Sequence, residues 1–343
     1  MPDFAPLPSG RPVPPGRGLH RFAVAVAAST VFLIFAGGLV TSTDSGLSVP
    51  DWPTTYGWNM FTFPLSKWVG GIKFEHSHRL IASAVGLLTV VLALWLARRE
   101  PRVWVRRLGY AALGAVVAQG LLGGLTVLLF LPPAVSVAHA CLAQTFFCLV
   151  VSLAVVTSPR WRKSEPVPAG AAGRLAAWTA AAVFLQLLAG AVMRHTKAGL
   201  AIPDFPLAFG HLVPPMTSFP VAIHFVHRAG ALVVSVLVAV TFVSSWQSRG
   251  RGLRGVSLLL AGLVLLQVAL GAWTVLSRRD VVVTTLHVVV GALVLATSLV
   301  LALASRRRAT ARANESGSGM PEAGEARVLR FVAPASGVRA AQK

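Results

Sequence analysis

The stretch GGLVTSTDSGLSVPDWPTTYG, residues 37–57, decides the fold because the chain contains it twice. Residues 190–210 read GAVMRHTKAGLAIPDFPLAFG, so Gly37, Thr43, Gly46, Leu47, Pro50, Asp51, Pro53 and Gly57 recur 153 positions later as Gly190, Thr196, Gly199, Leu200, Pro203, Asp204, Pro206 and Gly210. Downstream of each copy the parallel continues. His78-Arg79 recurs as His227-Arg228, Gln119, Gly123 and Thr126 recur as Gln267, Gly271 and Thr274, and His139 recurs as His287. The chain is two halves of one plan, each with two equivalent histidines.

The segments flanking these loops are apolar. With 55% hydrophobic residues, 12% charged residues and a mean hydropathy of +0.70, the 343-residue chain exceeds the apolar content of soluble domains. Eight runs reach the ~20 residues that a spanning helix needs: 22–41, 78–97, 108–131, 135–157, 174–193, 221–245, 254–276 and 281–304. The fold expected is an all-α, polytopic membrane protein. Its parts are a Pro-rich leader (1–21), a four-helix N-terminal half (22–157), a linker (158–173), a four-helix C-terminal half (174–304) and a disordered tail (305–343) lacking apolar periodicity.

A net charge of +20 invites a nucleic-acid reading, and its distribution rejects it. When alternate connections are assigned to opposite sides, the side holding both termini carries 23 Lys/Arg and 6 Asp/Glu, and the other carries 8 and 5. That is the positive-inside asymmetry, which puts both termini in the cytoplasm. No cleavage site follows the first run, and the prolines of the leader suit neither a removable signal nor a transit helix. Cys141 and Cys148 lie seven residues apart on one helix, about 10 Å in rise, too far to pair with each other. They read as small buried hydrophobes.

Titratable groups inside a span are costly and usually functional. His78, His139, His227 and His287 all fall near the outer ends of their helices, at one depth. Facing imidazoles in a helix bundle are a standard holder for heme iron. The residues one turn after them, Ala82, Ala143, Ala231 and Gly291, are small enough for close approach by a porphyrin. Copper and zinc also accept imidazole, but no Cys, Met or carboxylate cluster accompanies either pair, which favours heme. Arg79 and Arg228, next to the first histidine of each pair, are candidates for propionate contacts, or else snorkel to the interface. His20, His76, His195 and His211 read as interfacial or solvated.

The halves differ at one informative place. Glu75 precedes His78 by three residues on the same helical face, and the matching residue before His227 is His224. A carboxylate at one site only points to proton-coupled chemistry in the N-terminal half and a resident electron-transfer heme in the C-terminal half. In the repeated loop, Asp51 and Asp204 are expected to cap short helices lying over the sites.

Taken together, Gly37-Gly38-Leu39, Ser45-Gly46-Leu47-Ser48, Asp51-Trp52-Pro53, Glu75, His78-Arg79, His139, His227-Arg228 and His287 make the chain resemble the heme A synthase family over residues 20–304. The resemblance implies two pseudo-twofold-related four-helix bundles. In the first, His78 and His139 flank the iron of the substrate heme O and Glu75 is the catalytic carboxylate. In the second, His227 and His287 are the axial ligands of heme b. The implied reaction converts the C8 methyl of heme O to a formyl group by successive hydroxylations with water-derived oxygen, for cytochrome oxidase cofactor biosynthesis.

The same resemblance implies a bacterial cell membrane, heme sites towards the outer face, and heme O synthase and a membrane electron acceptor as partners, with room for oligomers. Many bacterial members carry two cysteines in the first outer loop, where this chain has Val49 and Thr55. The chief competitor is a diheme b-type membrane electron-transfer protein. It fits less well with four histidines at one face, since transmembrane transfer wants hemes on both sides. A repeat-built transporter would more often interrupt its helices at mid-membrane.

Overall fold

The computed structural model describes residues 17–247 and 251–309; expectations placed on residues 1–16 and 310–343 lie outside the described residues. Eight helices are long and apolar enough to cross a membrane. They are α1 (Arg17–Ser42), α2 (Ile72–Arg99), α3 (Val103–Leu128), α4 (Pro133–Thr157), α6 (Ala171–His195), α7 (Phe219–Gln247), α8 (Arg251–Leu276) and α9 (Val281–Ala304), with a one-turn α5 (Pro159–Arg162) between the halves. The protein is a polytopic, all-α membrane protein. Its two short strands, β1 (Ser164–Pro166) and β2 (Arg307–Ala309), pair antiparallel, and isolated bridges join Thr55 to Trp58 and Ala208 to His211.

Most helix ends differ from the hydropathy reading by one to six residues, and two of them are instructive. Helix α2 begins at Ile72, six residues early, because Lys73, Glu75 and His76 join its first turns although they lower the apolar count. Helix α3 stops at Leu128 rather than at 131. Phe130 and Leu131 take positive φ of 59° and 58°, and two prolines follow, of which Pro133 occupies the first turn of α4. The α8–α9 connection turns the same way: Arg278 and Arg279, 148 positions on, have φ of 53° and 70°. In both turns a threonine carbonyl accepts the closing bond, Leu131 N to Thr126 O at 2.7 Å and Arg279 N to Thr274 O at 2.8 Å.

Helices α1 to α4 pack in a ring of neighbours (α1 on α2, α2 on α3, α3 on α4, α4 on α1), and α6 to α9 do the same in their order. Helix α1 meets α9, and α4 meets both α6 and α9, so these inner helices join the two groups. Lipid tails are as apolar as leucine, so close packing and hydrogen bonds, at roughly 1 kcal/mol each, hold such helices together. The buried Thr179 and Thr241 hydroxyls meet at 2.8 Å across α6 and α7. At the junction of the groups, Ser42 Oγ accepts from Thr285 Oγ1 at 3.0 Å and from Arg194 Nη2 at 2.8 Å, while Arg194 also donates to the Gly38 carbonyl.

The opposite end of the bundle is closed by a buried carboxylate. Glu100, 2% exposed, pairs with Arg102 at 2.7 Å and Arg162 at 2.6 Å. Burial alone would raise its pKa, but the two guanidiniums hold it below the usual value.

Candidate functional site

The histidine end is organised by the repeated loop, which an arginine ties to the next helix in each half. Arg79 on α2 donates to the carbonyls of Val49 (2.9 Å), Asp51 (2.7 Å) and Thr54 (3.1 Å). Arg228 on α7 donates to those of Ile202 (3.0 Å), Asp204 (2.8 Å) and Leu207 (2.9 Å), the same three posts shifted by 153 residues. Each guanidinium, expected as a propionate contact, is thus turned onto loop carbonyls. Five donors in a rigid fork suit this task.

Asp51 and Asp204 do not cap helices; no helix lies there. The Asp51 carboxylate accepts from the backbone N–H groups of Tyr56 (2.7 Å) and Gly57 (2.8 Å), and that of Asp204 from Phe209 (2.8 Å) and Gly210 (3.0 Å). Each closes a tight turn whose two central residues have positive φ, which favours glycine at Gly57 and Gly210. Burial is the largest single influence and pushes the Asp51 carboxyl up, yet the Gly57, Thr54 and Tyr56 donors together leave it below the ordinary carboxylate value. The Asp204 carboxyl is lowered by Gly210 and Phe209.

Glu75 and His224 take equivalent positions in this scaffold. Glu75 Oε2 accepts from Val49 N at 2.9 Å and Oε1 pairs with Arg79 at 2.6 Å. His224 Nδ1 lies 3.2 Å from Ile202 N and its Nε2 3.2 Å from Arg228 Nε, of which a neutral ring can accept from only one. Both side chains are buried. One half therefore seals its loop with an anion and the other with a neutral ring.

One turn further along, each of the four histidines packs against a glycine of the preceding helix. A Cβ added to Gly37, Gly123, Gly190 or Gly271 would stand 3.0, 3.2, 2.9 or 3.0 Å from Cε1 of His78, His139, His227 or His287, respectively. His139 lies within electrostatic reach of His78, and His227 within reach of His287. The rings of His227 and His287 are 6.4 Å apart, centre to centre, at 73°.

The His227–His287 spacing fits an iron porphyrin. Each imidazole nitrogen sits about 2 Å from a bound metal, which puts two rings on opposite faces of one metal about 6 Å apart. The Nδ1 atoms of His78, His139 and His287 are buried without a partner among the described residues, a cost of about 1–3 kcal/mol each that a further ligand would relieve. No group of three or more His, Cys, Asp or Glu side chains that could hold a metal ion occurs among the described residues. Two imidazoles per site suit a metal whose other ligands come from a macrocycle.

The profile of the COX15-CtaA family, described as cytochrome oxidase assembly protein, matches residues 20–299. The chain belongs to this family. A COX15-CtaA relative named heme A synthase from Halalkalibacterium halodurans is 29% identical over 85% of this chain and 99% of its own length. Another of that name from Symbiobacterium thermophilum is 33% identical over 79% and 90%, and a third from Caulobacter vibrioides is 30% identical over 82% and 94%.

In this COX15-CtaA chain the two positions where many bacterial members are expected to carry cysteines are not idle. Val49 gives its N–H to Glu75, and the Thr55 hydroxyl lies 3.1 Å from Nδ1 of the fully buried His76. His76, expected at a solvated or interfacial site, is boxed in by Phe63 and Trp68. His195, at the end of α6, comes within electrostatic reach of His139. His20 Nδ1 lies 2.9 Å from the Ala154 carbonyl.

The small residues that face the histidine rings lie on the neighbouring helix, not only one turn after each histidine on its own. Three glutamines join them, none of which the residue pattern marks as part of the site. Gln119 Nε2 lies 3.2 Å from Nε2 of His139, Gln267 Nε2 lies 3.3 Å from Nε2 of His287, and Gln186 Nε2 lies 3.1 Å from Nδ1 of His227. The recurrence of Gly37, Gly123 and Gln119 at the repeat offsets was the signal that could have found most of them.

Proposed function

We propose that the chain is a heme A synthase, an oxidoreductase that converts the C8 methyl of heme O to a formyl group by two successive hydroxylations. The observation that carries this reading is the exchange of Glu75 for His224 at equivalent posts beside otherwise matching histidine pairs. Residues 22–157 form the substrate bundle and residues 174–304 the bundle for a resident heme b. Both termini are cytoplasmic and the sites lie towards the outer face in this reading, which the Lys/Arg asymmetry supports.

In this reading His78 and His139 flank the iron of heme O, and His227 and His287 hold heme b, which supplies one-electron redox chemistry when bound. Going from methyl to formyl with one water oxygen releases four protons and four electrons, and the electrons leave to a membrane acceptor. Glu75 takes protons released as water attacks the oxidised carbon. Its charge also favours an electron-poor carbon nearby. Arg79 keeps Glu75 and the loop in register, and the loop, with the Trp52 ring laid against Gly124 of α3, walls the site.

The test is pigment extraction from cells expressing the chain with a heme O producer. Heme A in the extract supports the enzyme. Heme b alone supports a diheme b-type electron-transfer protein, the reading favoured by the near-identity of the two histidine pairs.

A further inference from the structure

With Arg79 and Arg228 turned onto loop carbonyls, the guanidinium that stands over the second histidine pair is that of Arg194. It follows Gly190 by four residues on α6, one turn outward on the face that meets His227. The same side chain lies within electrostatic reach of His287. Arg194 is therefore on the rim of the His227–His287 pair.

Its charge is poorly matched by the protein. Nη2 donates to the Gly38 carbonyl at 3.1 Å and to Ser42 Oγ at 2.8 Å, both neutral acceptors. Among the described residues the ion pairs are those of Glu75, Glu100 and Asp44, and none includes Arg194. Asp44 is within electrostatic reach of it, but that carboxylate is 81% exposed and stands 3.9 Å from Arg279, a second guanidinium that also acts on Arg194. Two cations thus share one solvated carboxylate. A cation at a span end normally meets an anion, and guanidinium–carboxylate bonds are among the strong ones.

The first half has no such group. At the repeat offsets Arg194 and Arg279 correspond to Thr41 and Leu131, and the Thr41 hydroxyl donates to the Gly37 carbonyl of its own helix. The cationic rim belongs to the second pair.

We propose that Arg194, backed by Arg279, is the carboxylate site of the second pair and binds a propionate of the iron porphyrin that His227 and His287 hold. This rests on the heme reading above and adds to it the anchor for the anionic edge of the ring. Two axial imidazoles leave a porphyrin free to rotate about the axis through its iron. A carboxylate bonded at the rim removes that freedom, and the bonds to Gly38 and Ser42 aim the guanidinium from the other half.

The test compares heme b with its dimethyl ester, which lacks the free carboxylates, by titrating each into the full-length apoprotein and following the low-spin bands. His78→Ala is present in every sample, so that only the second pair gives a low-spin spectrum. The parent on this background is expected to bind heme b about tenfold tighter than the ester. Arg194→Met keeps the length without the charge. It is expected to lose that preference by weakening heme b and sparing the ester, and Arg279→Gln to lower it by a smaller factor.

A parent that binds both probes alike, or an Arg194→Met protein that weakens both by one factor, overturns the carboxylate site and leaves the heme reading standing. If Arg194→Met does not fold, Arg279→Gln takes its place, and an unchanged preference there overturns the site. Low-spin heme that persists in His227→Ala brings down both readings together.

Discussion

Val49 gives its backbone N–H to Glu75 across 26 residues of chain, at 2.9 Å, and the carboxylate it meets is buried beside Arg79. The loop and the first turn of α2 are therefore one unit, and the group proposed to handle protons is also a fastener of the loop. The two duties can be separated by mutation.

Glu75→Gln keeps an oxygen for Val49 N and leaves Arg79 its three loop carbonyls, so the fold and bound heme are expected to persist. Loss of a positioned proton acceptor typically costs 10²–10⁴-fold in rate. Chromatography of extracted pigments is expected to show heme O or its hydroxylated intermediate accumulating. Normal heme A output sinks the role.

Arg228→Leu removes all the guanidinium bonds to Ile202, Asp204 and Leu207 at once. With charge-assisted bonds worth about 1.5–3 kcal/mol each, the loop is expected to detach before the bundle melts. Limited proteolysis should then cut within residues 203–216 of the variant at protease levels that leave the parent whole.

Gly190→Ala and Gly271→Ala each put a methyl within 3.0 Å of a histidine Cε1, inside normal contact distance. Both are expected to lower heme content in the purified protein, read from the alkaline pyridine spectrum. Gly262→Ala, where nothing lies within 4 Å, is expected to match the parent.

Asp51 titrates below the ordinary carboxylate range in the folded protein. A depressed folded value means that its contribution is complete above the unfolded pKa and fades as pH falls through the folded one. Fluorescence of the neighbouring Trp52 and Trp58 is therefore expected to hold steady down to about pH 4 and to change below it. Asp51→Asn removes that acid transition.

The spans were legible because lipid demands about 20 apolar residues in a row, a constraint each run states alone. Their ends were not. Phe130 and Leu131 are as apolar as a helix interior, and only the two prolines after them hinted that the backbone leaves the helix there. The four histidines and Glu75 stood out because polar groups are scarce in such runs. The direction of Arg79 and Arg228 was hidden, since a guanidinium suits a propionate and a row of loop carbonyls equally. Glutamine suffers from a related ambiguity: Gln186 gains meaning only beside His227, a residue 41 positions away in sequence.

The junction at Ser42, where Thr285 and Arg194 arrive from the other half, has a bearing on how the protein meets different bilayers. Helices α3, α7 and α8 bury little of their apolar windows and take no part in that junction. The inner helices α1, α6 and α9 are pinned to one another by short polar bonds at the histidine end. A change of bilayer thickness therefore meets its stiffest resistance at the histidine end, where the halves are joined by directional bonds as well as by packing.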